Sequence, residues 1–336
     1  MINFVIPAFR KTSIRVFQEI VIVLNANENY TLLVLIDNPR NLEAGDFDIP
    51  SDLRSRIRVV RYNGNIGLSP NLLNSLAMAD REWLWICGDD DDYTNFPCQD
   101  IDRELLDTTA DIVKFSYKTL YVGRTGFKNF FSSEKTLNEL MSGSSFSDFD
   151  IGELIFTSNM LLRVSAFSQS LNVGFKWCGT LLAHLAVILH SNKDKAIVIR
   201  FSPVVAIGNN RYGDISWGRL DLYHDLIAIS VASSLQHRGQ RAKIRKYCRA
   251  YITSIKLAVQ LVPLLRRSST YRQQLDALIK IASLSVRLGK FHVTLLAVCV
   301  AFVPLRWYGS IAAKILYTLG RVDTRFGRYA KIIEGK

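Results

Sequence analysis

One stretch constrains this chain more than any other: Glu82-Trp83-Leu84-Trp85-Ile86-Cys87-Gly88-Asp89-Asp90-Asp91-Asp92-Tyr93. An apolar run of strand length ends in four consecutive carboxylates. Four like charges side by side repel one another, so packing alone does not select them. A divalent cation does. Mg²⁺ and Mn²⁺ prefer hard oxygen ligands, keep one or two protein carboxylates, and share the rest of their shell with phosphate and water. The competing explanation is a solvated acidic turn, since carboxylates also favour the N-terminus of a following helix. The Trp-Leu-Trp-Ile lead-in weighs against it. It places the acids at the C-terminal end of a buried strand, the edge of an open α/β sheet where ligands bind.

The residues before this stretch alternate between strand and helix patterns. Ile2 to Pro7 reads as a buried strand that stops at its proline. Arg10 to Leu24 places Ile14, Phe17, Ile20, Val21 and Leu24 at helical spacing. Tyr30 to Ile36 is a second apolar strand, ending at Asp37-Asn38-Pro39, and Arg56 to Arg61 is a third. Asn63-Gly64-Asn65-Ile66-Gly67 follows, then Ser69-Pro70 as cap and first residue of a helix to Ala79. This alternation predicts a doubly wound, mostly parallel, Rossmann-like sheet with its polar loops on one edge. There is no Gly-x-Gly-x-x-Gly after the first strand and no Gly-x-x-x-x-Gly-Lys-Ser/Thr. A dinucleotide enzyme, a P-loop enzyme and a nucleotidyltransferase with a glycine-rich, lysine-bearing first loop are therefore disfavoured.

Four motifs in order carry a resemblance. Phe4-Val5-Ile6-Pro7-Ala8-Phe9 resembles the opening strand and turn of the family 2 glycosyltransferases, which have the GT-A fold. Asp37 matches the acid ending their second strand, and Asn65-Ile66-Gly67 with Asn71 matches their Asn-x-Gly-x-x-x-Asn loop and helix. Gly88-Asp89-Asp90-Asp91 matches their Asp-x-Asp motif. Residues 151–217 resemble, more loosely, the acceptor half of bacterial O-antigen and capsule sugar transferases of the abequosyltransferase type.

The resemblance implies a nucleotide-sugar donor, a glycan or lipid-linked oligosaccharide acceptor, and Mn²⁺ or Mg²⁺. On the family pattern Asp89 faces the ribose or sugar and also neighbours the metal, which Asp91 binds. The four-residue run leaves Asp90 and Asp92 as substitutes in register. Ala8 and Phe9 would pack against the base and Asp37 would hydrogen-bond it, whereas Pro7 reads equally as a strand terminator. Asp37 is also ordinary turn chemistry before Asn-Pro. Asn65 contacts the nucleotide or holds its own turn, and Gly67 permits an unusual backbone. An inverting transferase needs a carboxylate base beside the acceptor hydroxyl. Asp148, Asp150 and Glu153 precede an apolar segment, and Glu153 or Asp150 is the expected base, with helix N-terminal acids as the alternative. His184 sits in a Gly-Thr-x-x-x-His-Leu pattern; it lines the acceptor pocket, helps the metal, or is a core histidine. Arg211, in the loop before Trp217, could close over the diphosphate.

Charge divides the chain. Residues 1–235 hold 22 Lys/Arg against 27 Asp/Glu, and residues 236–336 hold 20 against 3. The division suggests a catalytic domain at 1–235, with 1–100 binding the donor and 101–235 the acceptor, and a basic helical region at 236–336. Apolar helices with cationic faces and Trp307-Tyr308 fit an anionic bilayer surface. A bundle packed on the catalytic domain or on a second copy explains the apolar residues equally well, but the charge less well. A nucleic-acid scaffold is disfavoured, because the basic region is apolar between its charges. The longest uncharged apolar run, Val293 to Leu305, is 13 residues, too short to span a bilayer. Five scattered cysteines without metal spacing, and no basic-then-apolar leader, predict a reducing cytoplasm. A catalytically silent nucleotide-binding subunit stays open as the non-enzymatic reading.

Overall fold

The computed structural model describes residues 1–209 apart from Asp90, Asp107, 122–123, 143–151 and Phe156, with isolated positions between 222 and 286. Asp90, Asp148, Asp150, Arg211, Trp217 and nearly all of 236–336 therefore lie outside the described residues. Two compact units are present: residues 1–216 with 232–243, and residues 217–231 with 244–336. The first holds the sheet.

Four parallel strands form its amino-terminal half: β1 (Ile2–Ala8), β2 (Thr31–Ile36), β3 (Ile57–Arg61) and β4 (Trp83–Ile86), in the order β3-β2-β1-β4. All of β2 and β4 is buried, so both read as unbroken apolar runs rather than alternating ones. The crossovers are α1 (Thr12–Ala26) and α2 (Leu68–Met78). Beyond β4 the sheet turns mixed. The remaining described strands are β5 (Asp91–Asp92), β6 (Ile112–Tyr121), β7 (Arg124–Lys128), β8 (Ser133–Thr136), β9 (Met160–Arg163) and β10 (Val198–Asn209). β9 runs antiparallel between β4 and β6, and β10 lies parallel to β6. β10 also takes the two-residue β5 antiparallel, while β7 and β8 hang on β6 and β10. The expected α/β sheet is thus present, parallel at its first four strands.

Local differences from the sequence expectations have physical causes. β1 does not stop at Pro7 but continues to Ala8. The Cys87 amide donates to the Val5 carbonyl, so that residue faces β4, and Pro7, two residues on, faces the same side. β4 pairs with β1 only through Val5, so the missing proline N–H costs no ladder bond. α2 begins at Leu68, with Gly67 as N-cap rather than Ser69. Gly67 has φ +89 and ψ 165, a backbone region essentially reserved for glycine that a residue with a Cβ enters at a cost of about 1–3 kcal/mol. Ser69 is instead buried in the first helical turn, where its hydroxyl accepts from the Ala183 amide at 3.4 Å.

That contact joins α2 to α8 (Ala183–Asp194), the longest of the later described helices. Its predecessors are α3 (Cys98–Leu106), α4 (Leu137–Ser142), α5 (Gly152–Ile155), α6 (Val164–Phe167) and α7 (Leu171–Lys176). α2, α7 and α8 pack so closely that a Cβ on Gly174 would sit 2.5 Å from Leu73 and 2.6 Å from Val187. Under the β4 end lies an aromatic cluster. The Trp85 ring stands 5.0 Å from Phe96 and 5.2 Å from Phe115, and its indole N–H donates to the Ser158 carbonyl at 2.8 Å. That bond satisfies a buried donor and ties β4 to the segment before β9. Among the described residues no helix is long and apolar enough to cross a membrane.

Candidate functional site

Because β1, β2 and β4 are parallel neighbours, their carboxyl ends bring Ala8, Asp37 and the 87–92 turn to one edge. Asp37 follows β2 directly, and its amide donates to the Ala8 carbonyl at 2.9 Å. Its carboxylate accepts from the Ile66 amide at 2.6 Å and the Gly67 amide at 3.2 Å. The Gly67 amide also reaches the Asn65 side chain at 2.8 Å. Asp37 is only 3% exposed, and burial raises its pKa above the usual carboxylate value, against the two amide bonds. Asp37 thus holds the 65–67 loop, and each oxygen keeps a second lone pair for a ligand. Asn65 holds its own turn. Asn71 is buried in α2, its side-chain oxygen unbonded and its amide joined to Gly67 O at 3.2 Å. Ala8 is buried, whereas Phe9 is 42% exposed, a free ring beside the Asp37 loop.

The acidic turn divides its carboxylates by burial. Asp89 is partly exposed; its Oδ2 accepts from the Thr12 hydroxyl at 3.2 Å and lies 3.8 Å from Arg10 Nε. Asp91 is fully buried. Its Oδ2 accepts from the Gly88 amide at 3.1 Å and the Tyr93 hydroxyl at 3.4 Å, and its carbonyl accepts from Arg15 at 2.7 Å. Arg15 in turn pairs with Glu19 at 2.6 Å, which accepts from the Tyr93 amide. Asp91 and Asp92 form β5 against Gly208 and Asn209, so β10 braces the turn. Among the described residues no three His, Cys, Asp or Glu side chains converge on a cation position. Asp89 and Asp92 are the partly exposed described carboxylates of the run, and Asp92 Oδ1 accepts from the Thr94 amide at 3.0 Å.

In the segment expected to serve an acceptor, Glu153 lies in α5 and is 7% exposed. The Tyr117 hydroxyl donates to its Oε1 at 3.4 Å, and Lys114 Nζ lies 3.9 Å from its Oε2. The register through β9 sets Tyr117 of β6 just past the carboxyl end of β4, so Glu153 lies toward the carboxyl edge of the sheet. His184, in the first turn of α8, is buried beside the Leu154 and Ile155 backbone, and that burial lowers its pKa to about 4. It is a neutral histidine of the core that abuts the Glu153 helix. Between pH 6.5 and about 4 the unfolded chain takes up a proton that folded His184 refuses. Stability should therefore fall by roughly 3 kcal/mol as pH drops through that window. Melting temperature against pH tests this: a His184→Leu variant should lose that part of the slope.

The structure joins Asp37, Asn65 and Gly67 by hydrogen bonds and sets Asp89 and Asp91 on the same sheet edge; the supports of the acidic turn were not among the sequence candidates. Arg10, just before α1, and Thr12, Arg15 and Glu19 on it hold the acidic turn; the Arg15–Glu19 spacing of four was the available signal. Lys114 was legible as one charge inside the apolar Ile112-Val113-Lys114-Phe115 run.

Comparison with solved structures agrees with this architecture. The chain superposes on S. aureus TarS, a GT-A-type glycosyltransferase, with a TM-score of 0.56 at 11% identity, over 99% of this chain and 55% of TarS. It therefore spans little more than half of that protein. TarS 1–349 solved with UDP-GlcNAc gives 0.56 at 12% identity, over 99% of this chain and 90% of the other. The same fragment with UDP gives 0.53 at 11% identity, over 88% and 89%. No protein-family model and no curated protein sequence matches the chain. At such identities the likeness is one of fold.

Proposed function

We propose that this chain is a glycosyltransferase that moves a sugar from a nucleoside-diphosphate donor to a glycan acceptor. One observation carries the reading: the Asp37-braced 65–67 loop and the Asp89 carboxylate share the carboxyl edge of a GT-A-like sheet. Base and ribose would lie over Ala8, Phe9 and the Asp37 loop, and the diphosphate beside Asp89. TarS was solved with UDP and with UDP-GlcNAc, so uridine donors are the first to try.

The donor set fits a divalent cation in its chemistry: Asp89 offers a hard, partly exposed carboxylate, and Asp91 stands behind it. These two would hold Mn²⁺ or Mg²⁺. When bound, such an ion supplies charge stabilisation to the leaving nucleoside diphosphate. The chain's own residues do the rest. Arg10, already near Asp89, adds positive charge beside the leaving group, and Arg211 would add more. Glu153 accepts the proton of the acceptor hydroxyl. Residues 236–336 carry 20 Lys/Arg against 3 Asp/Glu and would place the enzyme on an anionic membrane surface, where a lipid-linked acceptor of a bacterial surface polysaccharide resides.

Calorimetric titration with UDP, GDP, CDP and dTDP, with and without Mn²⁺, tests the reading. Binding of one nucleotide that strengthens with metal is expected. Failure of all four under both conditions would overturn the donor reading, and binding without any transfer would favour a catalytically silent subunit.

A further inference from the structure

Lys114 is the one described lysine with no exposed surface, and no step above uses it. It sits in the amino-terminal half of β6, where an isolated ammonium is costly to bury. Two of its hydrogen bonds go to one loop. Nζ donates to the Glu153 carbonyl at 2.5 Å and to the Asn159 side chain, and it stands 3.9 Å from Glu153 Oε2. The Asn159 amide group donates back to the Phe115 carbonyl at 3.1 Å. Glu153 Oε2 is buried and has no hydrogen-bond partner, so the Lys114 charge is its nearest compensation. We propose that Lys114 is a positioning residue for the transfer reaction: it clamps the Glu153–Asn159 loop to β6 and supplies the counter-charge that holds the buried Glu153 carboxylate in place.

This rests on the reading of Glu153 as the base. The ionisable groups facing the pair are Tyr117 on β6 and His184 on α8, besides Glu153 itself on α5. His184 is neutral above about pH 4 and does not change charge in the working range. Lys114 does, because burial lowers its pKa to about 8, against the attraction of Glu153. Its counter-charge is present below that pH and is lost above it.

The test is a cycle of Lys114→Gln, Glu153→Gln and the double variant, read by steady-state transfer, donor titration and melting. Glutamine keeps a donor for Asn159 and the 153 carbonyl while removing the charge. The expected result is a fall in kcat of at least about tenfold for Lys114→Gln, with donor KM unchanged. The wild-type loss of activity above about pH 8 should vanish in that variant. Adding Lys114→Gln to Glu153→Gln should cost no further activity, because the lysine acts through the carboxylate. Equal losses in both backgrounds, or a folded Lys114→Gln with wild-type kcat and pH profile, would overturn the proposal. If Lys114→Gln fails to fold, the double variant should fold, since both charges are then gone; a double that also fails refutes the charge pairing. Full activity in Glu153→Gln would remove the base assignment and this proposal with it, leaving transfer standing. Absence of transfer by the wild type would instead sink the functional reading.

Discussion

An Asp89→Ala variant should lose metal-strengthened nucleotide binding and transfer sugar about 10²-fold to 10³-fold more slowly, yet melt where the wild type melts. The carboxylate is partly exposed, and its contacts are a 3.2 Å hydrogen bond from Thr12 and a 3.8 Å approach of Arg10. Exposed pairs of this kind contribute roughly 0–1 kcal/mol, so little stability is at stake. Asp91→Ala should behave differently. Its buried carboxylate accepts from the Gly88 amide and the Tyr93 hydroxyl. Alanine leaves those donors unsatisfied, at about 1–3 kcal/mol each, and loosens the turn that presents Asp89. Activity and melting temperature should then fall together. Calorimetry with nucleotide and Mn²⁺, run beside differential scanning, separates the two variants. Undiminished transfer by Asp89→Ala would remove the acidic turn from the mechanism.

Glu153→Gln should lower kcat by about 10²-fold to 10⁴-fold while nucleotide binding survives. The substitution keeps shape and leaves an oxygen for the Tyr117 hydroxyl, but it cannot take up the acceptor's proton. The donor half, β1 to β4 with the 65–67 loop, does not depend on α5 for its hydrogen bonds. Some stability will be lost, because the Lys114 ammonium keeps its buried place without its counter-charge. Rapid-quench measurement of a single turnover, with donor affinity determined separately, reads the chemical step directly. A binding defect with an unchanged chemical step would place Glu153 among the binding groups and return the base to the segment around Asp150.

The sequence alone determined the parallel half of the fold. Its strands are buried on both faces, so each reads as an apolar run ending in a polar loop, and such runs separated by helices leave one topology. The edge where Asp37, Gly67 and Asp89 meet follows from that topology, because every strand of a parallel set ends on the same side. Local chemistry was legible too, as at Gly67, whose position after Asn65 marked an unusual backbone before its φ of +89 was known. Only the tertiary structure decided the rest. That Asp91 is buried while Asp89 stays partly exposed depends on Arg15 and β10, which reach the turn from distant parts of the chain. The antiparallel insertion of β9 between β4 and β6 brings Lys114 to Glu153, 39 residues later. Sequence patterns are written by the environment of each residue and its neighbours a few positions away. Pairing between distant segments is selected by the burial of whole faces, and no single residue records its partner.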